Sequence, residues 1–211
     1  MGGACGYGNV VDGGYSKYTA ALSYALFNDG LTCGACYTLM CYDDPKWCKQ
    51  GSSITVSATN SCPPSNKPSD NGGWCNRPRQ HFDLSWQAFS QIVIADTPGI
   101  VPVLYERVAC QKNGNIKIKI TTQPYLNLVL VTNVGGAGDV HAVSVKGSPT
   151  GSWQQLTRSW GQNWAISTSG FSSAQSLSFQ VTTSDGKSVT CNVASGWNFG
   201  KTYDGGAQFK S

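Results

Sequence analysis

The stretch Cys33-Gly-Ala-Cys36-Tyr-Thr-Leu-Met-Cys41-Tyr-Asp-Asp-Pro-Lys-Trp-Cys48 packs four of the chain's nine cysteines into one short run. Cys5 lies before it and Cys62, Cys75 and Cys110 after it, whereas everything beyond Cys110 holds only Cys191. Such density is read as disulfide staples formed in an oxidising compartment, because reduced thiols so close together would be reactive liabilities. Zinc is the rival reading, since Cys33-x2-Cys36 has ligand spacing. The later spacings widen irregularly and His81 is the one nearby nitrogen ligand, which favours disulfides. Cys191 is expected to be a buried small hydrophobe on a strand, with an intermolecular disulfide as the alternative.

The same split divides the 211 residues in charge. Residues 1–110 hold seven Lys+Arg against eight Asp+Glu, a balance of −1; residues 111–211 hold eight against three, a balance of +5. Two domains are therefore expected, 1–110 and 115–211, joined by the short polar link Gln111-Lys-Asn-Gly-Asn115. Only 12% of residues are charged, and no Lys/Arg cluster of the kind nucleic acid demands is present. A surface rich in Gly, Asn, Ser and Thr suits neutral polar ligands instead. No apolar run reaches membrane-span length. The first residues lack a charged segment ahead of a hydrophobic core, so secretion is inferred from the cysteines and the chain is read as a mature or trimmed form.

The first half reads as short strands among Gly-, Pro- and Asn-rich loops. Ile54–Thr59 is β-branched and alternating, Val101–Val108 is a second strand candidate, and Thr19–Phe27 and Ser85–Ala95 are candidate helices. The second half predicts strands at Ile116–Thr121, Leu128–Val134, Val140–Val145, Trp153–Leu156, Leu177–Thr182 and Ser188–Val193. Asp185-Gly186 is the strongest hairpin signal between them. Regular short strands without helix signals point to a β-sandwich.

Among groups that could carry chemistry, Asp83 stands between Phe82 and Leu84. An apolar border there would disfavour its charged form and leave an acid able to donate a proton to a sugar oxygen. The plainer alternative is a helix N-cap. Glycoside hydrolysis needs a second carboxylate, and the remaining first-half acids read as solvated turns. His81 and His141 lie near no nucleophile elbow, the glycines around Gly135 are not followed by the Lys-Ser/Thr of a phosphate loop, and no cofactor or metal is expected. Tyr125, Trp153, Trp160, Trp164 and Trp197 exceed what a small sandwich core needs. Exposed rings of this kind stack on sugar faces, although any one of them could be core.

Met1-Gly-Gly-Ala-Cys-Gly-Tyr-Gly-Asn9, Ala25-Leu-Phe-Asn28, Cys33-Gly-Ala-Cys36, Asp44-Pro-Lys-Trp-Cys48, Ala58-Thr-Asn60, Gly72-Gly-Trp-Cys-Asn76, His81-Phe-Asp83, Gly99-Ile-Val-Pro102, Thr132-Asn-Val-Gly-Gly-Ala-Gly-Asp-Val-His141 and Trp160-Gly-Gln-Asn-Trp164, in this order along the whole chain, resemble the plant α-expansins. The resemblance implies an all-β, two-domain fold: a six-stranded double-psi β-barrel related to family-45 glycoside hydrolases, then an immunoglobulin-like β-sandwich acting as a carbohydrate-binding module. It implies acid-dependent loosening of plant cell walls without net hydrolysis, acting on contacts between cellulose and xyloglucan-like matrix glycans, by a secreted monomer. Asp83 then matches the acid needed for loosening, with Thr59, Asn60 and His81 shaping its groove. The partner acid of related proteins falls on Thr59-Asn60, where an amide cannot act as a base. Tyr125 and Trp160, and more weakly Trp153 and Trp164, match the polysaccharide-facing aromatics. The cysteines Cys5, Cys33, Cys36, Cys41, Cys48, Cys62, Cys75 and Cys110 fit four disulfides of undetermined pairing. Family members also carry an Ala-Thr-Phe-Tyr-Gly-like strand ahead of Met-Gly-Gly-Ala-Cys that this sequence does not include. The enzyme alternative is an endo-β-glucanase; the binding alternative is a carbohydrate-binding or defence protein without loosening activity.

Overall fold

The computed structural model describes residues 3–96, 98–123, 126–148, 151–166 and 171–210. In the first half, β1 (Thr19–Leu22), β2 (Cys36–Cys41), β3 (Ser53–Ser61), β4 (Phe82–Leu84) and β5 (Val103–Val108) form one sheet in the order β4-β1-β3-β2-β5. β1 and β3 run parallel and the other pairs antiparallel. Five strands are thus paired among the described residues, against the six the resemblance implied.

Two local expectations change. Thr19–Phe27 is not one helix: its first four residues are β1, and only Tyr24–Phe27 turns helical as α1. Ala20 and Leu22 are buried while Thr19 and Ala21 are partly open, a period of two that the run of small apolar residues disguised. The second helix, α2 (Trp86–Ile92), is capped by Ser85, whose hydroxyl accepts from the Ala88 amide (3.3 Å) and donates to the Lys17 carbonyl (2.7 Å). Asp83 is therefore a strand residue and not the cap.

The second half has β6 (Lys117–Thr122), β7 (Asn127–Thr132), β8 (Val140–Gly147), β9 (Gln154–Gln155), β10 (Thr157–Trp160), β11 (Asn163–Ile166), β12 (Leu177–Thr183), β13 (Ser188–Val193) and β14 (Thr202–Asp204). Two sheets, β10-β11-β7-β6-β14 and β13-β12-β8-β9, enclose a core centred on Phe179, Ile118, Ile120, Val129, Val143 and Leu177. Asp185-Gly186 makes the β12–β13 hairpin, with the Gly186 amide on the Thr183 carbonyl and Thr183 on Lys187. Alternating burial along β12 supplies the core face. Cys191 is buried on β13 and unpaired, as its sequence context suggested.

The eight remaining cysteines pair as Cys5–Cys33, Cys36–Cys110, Cys41–Cys48 and Cys62–Cys75. The halves meet through polar groups and one small apolar cluster. Cys110 and Gly136 exchange backbone hydrogen bonds (2.7 and 3.1 Å), the Gln162 amide donates to the Cys5 carbonyl (3.0 Å), and Arg158 donates to the Asp29 carbonyl (2.8 Å). Gly34 and Gly138 cross where a side chain on either would collide with the other's backbone, and both have positive φ. Arg107 on β5 reaches Asp139, which is 1% exposed and also accepts from Ser184 (2.6 Å). The segment around Cys5, Tyr7 and Tyr15 packs beside Cys33 and against Leu130 of β7, and so belongs to the junction as much as to either half.

Candidate functional site

Strand register builds the site. Ala21 of β1 lies opposite Asp83 of β4 on one side and Asn60 of β3 on the other. Asp83, Ala21 and Asn60 therefore form a row across the sheet, with Asp83 and Asn60 exposed. Their backbones sit two strand spacings apart, about 9.6 Å. Thr59, the neighbouring residue, is 6% exposed, so it presents little surface to a groove, contrary to the groove-shaping role expected of it.

Asp83 and His81 also line a cleft of about 720 Å³ walled by Trp74, Arg79, Trp86 and Val101. Asp83 is the only carboxylate in that lining among the described residues. Asp83 is exposed within this cleft and has the apolar border its sequence context suggested, from Leu84, Trp86 and Val101. Burial lowers the pKa of His81; the nearby Asp83 charge opposes this and Arg79 adds to it. His81 stacks on Trp74 at 6.4 Å, and the Arg79 guanidinium lies 4.6 Å over the same indole.

The segment is held by residues that sequence reasoning missed. Ser23, fully buried, donates to the Arg79 carbonyl (2.9 Å), accepts from the His81 amide (3.1 Å) and bonds the His81 carbonyl through its own amide (2.9 Å). Phe82 points the other way into edge contacts with Tyr37 and Tyr105 (5.2 and 4.9 Å), and Tyr105 donates to Gln80 (2.7 Å). With Phe82 locked inward, the strand alternation turns Asp83 outward. Trp86, 68% exposed at the start of α2, gives the cleft a flat apolar platform. A tryptophan three residues after the Asp, on a helix's first turn, was the available signal.

The row continues toward the second half. The Asn60 side-chain carbonyl accepts from the Ala4 amide (2.7 Å), and a Cβ on Gly6 would meet the Trp160 ring and the Asn163 amide. Residues 3–6 thus bridge Asn60 to Trp160, which is 45% exposed on edge strand β10. Trp153 is also exposed, with Lys146 4.8 Å over its ring, but it precedes β9 in the other sheet. Trp164 is 3% exposed in the sandwich core and donates to Gln162 (3.4 Å), so it cannot face a polysaccharide. Tyr125 lies outside the described residues. Among those residues no cluster of three His, Cys, Asp or Glu side chains is placed to hold a metal, and no helix is long and apolar enough to cross a membrane.

Residues 116–194 match the family model described as the expansin C-terminal domain, and residues 19–120 match a double-psi β-barrel model described as lytic transglycolase. Expansin-A13 of Oryza sativa subsp. japonica is 49% identical across 100% of this chain and 81% of its own length. Expansin-A22 of Arabidopsis thaliana is 49% identical across 98% of this chain and 73% of its own. The crystal structure of apo Clavibacter michiganensis expansin superposes with a TM-score of 0.68 at 18% identity, covering 99% of this chain and 89% of that one. A point mutant of the Clavibacter protein, solved in complex with cellohexaose, superposes with a TM-score of 0.63 at 17% identity over 92% and 83%. At that identity the superpositions speak to fold alone, a double-psi β-barrel followed by a β-sandwich, whereas the near-half identity over the full chain settles kinship. The chain belongs to the expansin family, among its α-expansins.

Proposed function

We propose that this protein loosens plant cell walls by gripping a glycan along the row Asp83, Ala21 and Asn60 and its continuation over residues 3–6 to Trp160. The grip disrupts noncovalent contacts between cellulose and xyloglucan-like matrix glycans and leaves the chains uncut. The barrel (1–110) supplies the polar row and the Trp86 platform. The sandwich (115–211) supplies Trp160, with Trp153 and Tyr125 as further aromatic contacts. The protein works in the extracellular wall as a monomer.

One observation carries the nonhydrolytic reading. A hydrolase that inverts needs two carboxyls roughly 6.5–9.5 Å apart. The residue that lies about two strand spacings from Asp83 is Asn60, whose side-chain carbonyl is already engaged by the Ala4 and Ser61 amides. An amide cannot take a proton from water, so Asp83 lacks a base across the row. Exposed aromatic faces supply sequence-tolerant stacking for sugar rings, which suits sliding better than cutting. The test is Asp83→Asn. Loss of wall extension by a variant with wild-type circular dichroism supports the reading; undiminished extension would sink it.

A further inference from the structure

A second cavity, of about 650 Å³, shares no lining residue with the Asp83 cleft. It lies where β2 and β3 meet the link between the halves, and its walls include Tyr15, Thr38, Thr55, Ser57 and Lys112. Its size falls within the range of small-ligand sites, about 300–1,000 Å³.

Lys112 is its distinguishing group. The ammonium donates to Ser57 Oγ (3.1 Å) and lies 4.2 Å from the centre of the Tyr15 ring. Among the described residues no carboxylate lies within ion-pair distance of it. An ammonium has three donors, and Ser57 takes one. Glu106 pairs with Thr38 across β2 and β5, yet it is exposed and does not line the cavity. Burial lowers the Lys112 pKa to about 8, with no neighbouring charge to offset it. The amine is therefore cationic at mildly acidic and neutral pH, and a partly buried cation with no counter-charge beside it is positioned to gain from an anion. Beside it, the hydroxyls of Thr38 and Thr55 bond each other (3.0 Å), which uses one hydroxyl hydrogen and leaves the other free to donate.

We propose that this cavity is a second glycan subsite, for a carboxylate-bearing sugar residue, with the Lys112 ammonium, positioned by buried Ser57, holding the carboxylate and Thr38 and Thr55 meeting ring hydroxyls. It goes beyond wall loosening at the Asp83 row: it gives the protein a contact with acidic polysaccharide that a neutral glucan cannot make. Ser57 pairs with Cys36 across β3 and β2, and Cys36 is bonded to Cys110 two residues before Lys112, so the fold fixes the amine against the hydroxyl wall.

The test is calorimetric titration of the whole protein at pH 5.5 with digalacturonate, with its neutral counterpart galactobiose, and with inorganic phosphate. Digalacturonate is expected to bind at least about tenfold more tightly than either. Lys112→Met should weaken it about tenfold or more, Lys112→Arg should retain it, and Lys210→Met, which removes the same charge elsewhere, should leave it unchanged. A pH series on the wild type keeps the proposal falsifiable if Lys112→Met does not fold: affinity should fall about tenfold per unit once pH rises above about 8. Equal binding of galactobiose, equal binding of phosphate, no binding at all, or wild-type affinity in folded Lys112→Met would each overturn the assignment.

Discussion

The two halves of this molecule are similar in length but are stabilised by different means. Among the described residues the sandwich buries 19 in one cluster, dominated by Val, Ile, Leu, Phe and Trp, and contains no disulfide. The barrel's main cluster buries 14, of which Ala20, Ala35, Ala58 and Ala88 are alanines and Cys41 and Cys48 form a disulfide. A sheet that leaves Asp83, Ala21 and Asn60 open to a ligand gives up apolar burial, at roughly 25 cal/mol per Å². Cross-links offset the loss by restricting the unfolded chain. Open grooves and dense disulfides thus go together here for one physical reason.

That comparison can be broken most forcefully at Cys36–Cys110, which spans 74 residues. Replacing both with Ser is expected to cost about 4.5 kcal/mol on the chain-entropy model. Closing only 7 residues, Cys41–Cys48 should cost about 2.5 kcal/mol. Hydrogen exchange should show barrel amides losing protection first while β12 and β8 keep theirs; simultaneous loss in both halves would refute the division. The mirror experiment is Phe179→Ala, at about 4 kcal/mol, which should loosen the sandwich in oxidised protein while barrel amides stay protected.

The junction offers a smaller effect. Arg107→Ala leaves Asp139 buried with Ser184 and His141 as remaining partners, and about 2 kcal/mol of stability should be lost. Melting transitions of the two halves that lie further apart in Arg107→Ala than in the wild type would mark Arg107 as a coupling residue. The smallest effect is a pH slope. Burial holds the His81 pKa below its ordinary 6.5, so the unfolded chain binds the proton more readily, and barrel stability declines as pH falls through the window beneath 6.5. His81→Gln should flatten that part of the barrel's stability curve and leave the sandwich's untouched. A slope that survives the substitution would assign it to another group.

The regular second half was easy to read because alternation and the Asp185-Gly186 turn are local signals, and six of its strands lie at or near their expected residues. Strands β10, β11 and β14 escaped notice: β10 and β14 are largely exposed edges that carry little hydrophobic pattern, and β11 is an inner strand of only four residues, too short to show an alternation. In the barrel the cysteines announced disulfides but not their pairing, which is a property of the folded chain. β1 hid inside an apparent helix. The candidate site was legible only in part. Resemblance nominated Asp83 and Trp160, yet the row joining Asp83 to Asn60 depends on register between three strands, and Ser23 acts through contacts 56 and 58 residues distant in sequence. Burial sorted the tryptophans, placing Trp164 in the core and leaving Trp160, Trp153 and Trp86 open.

The central claim is that this fold loosens walls by contact and not by cleavage. Heat-inactivated plant cell wall held under constant load at about pH 4.5, near the range where carboxyls titrate, would be treated with the protein while extension and released reducing ends are recorded together. Extension without reducing ends is the predicted result. Extension accompanied by a proportional release of reducing ends would contradict it and make Asp83 a hydrolytic acid with a base outside the row.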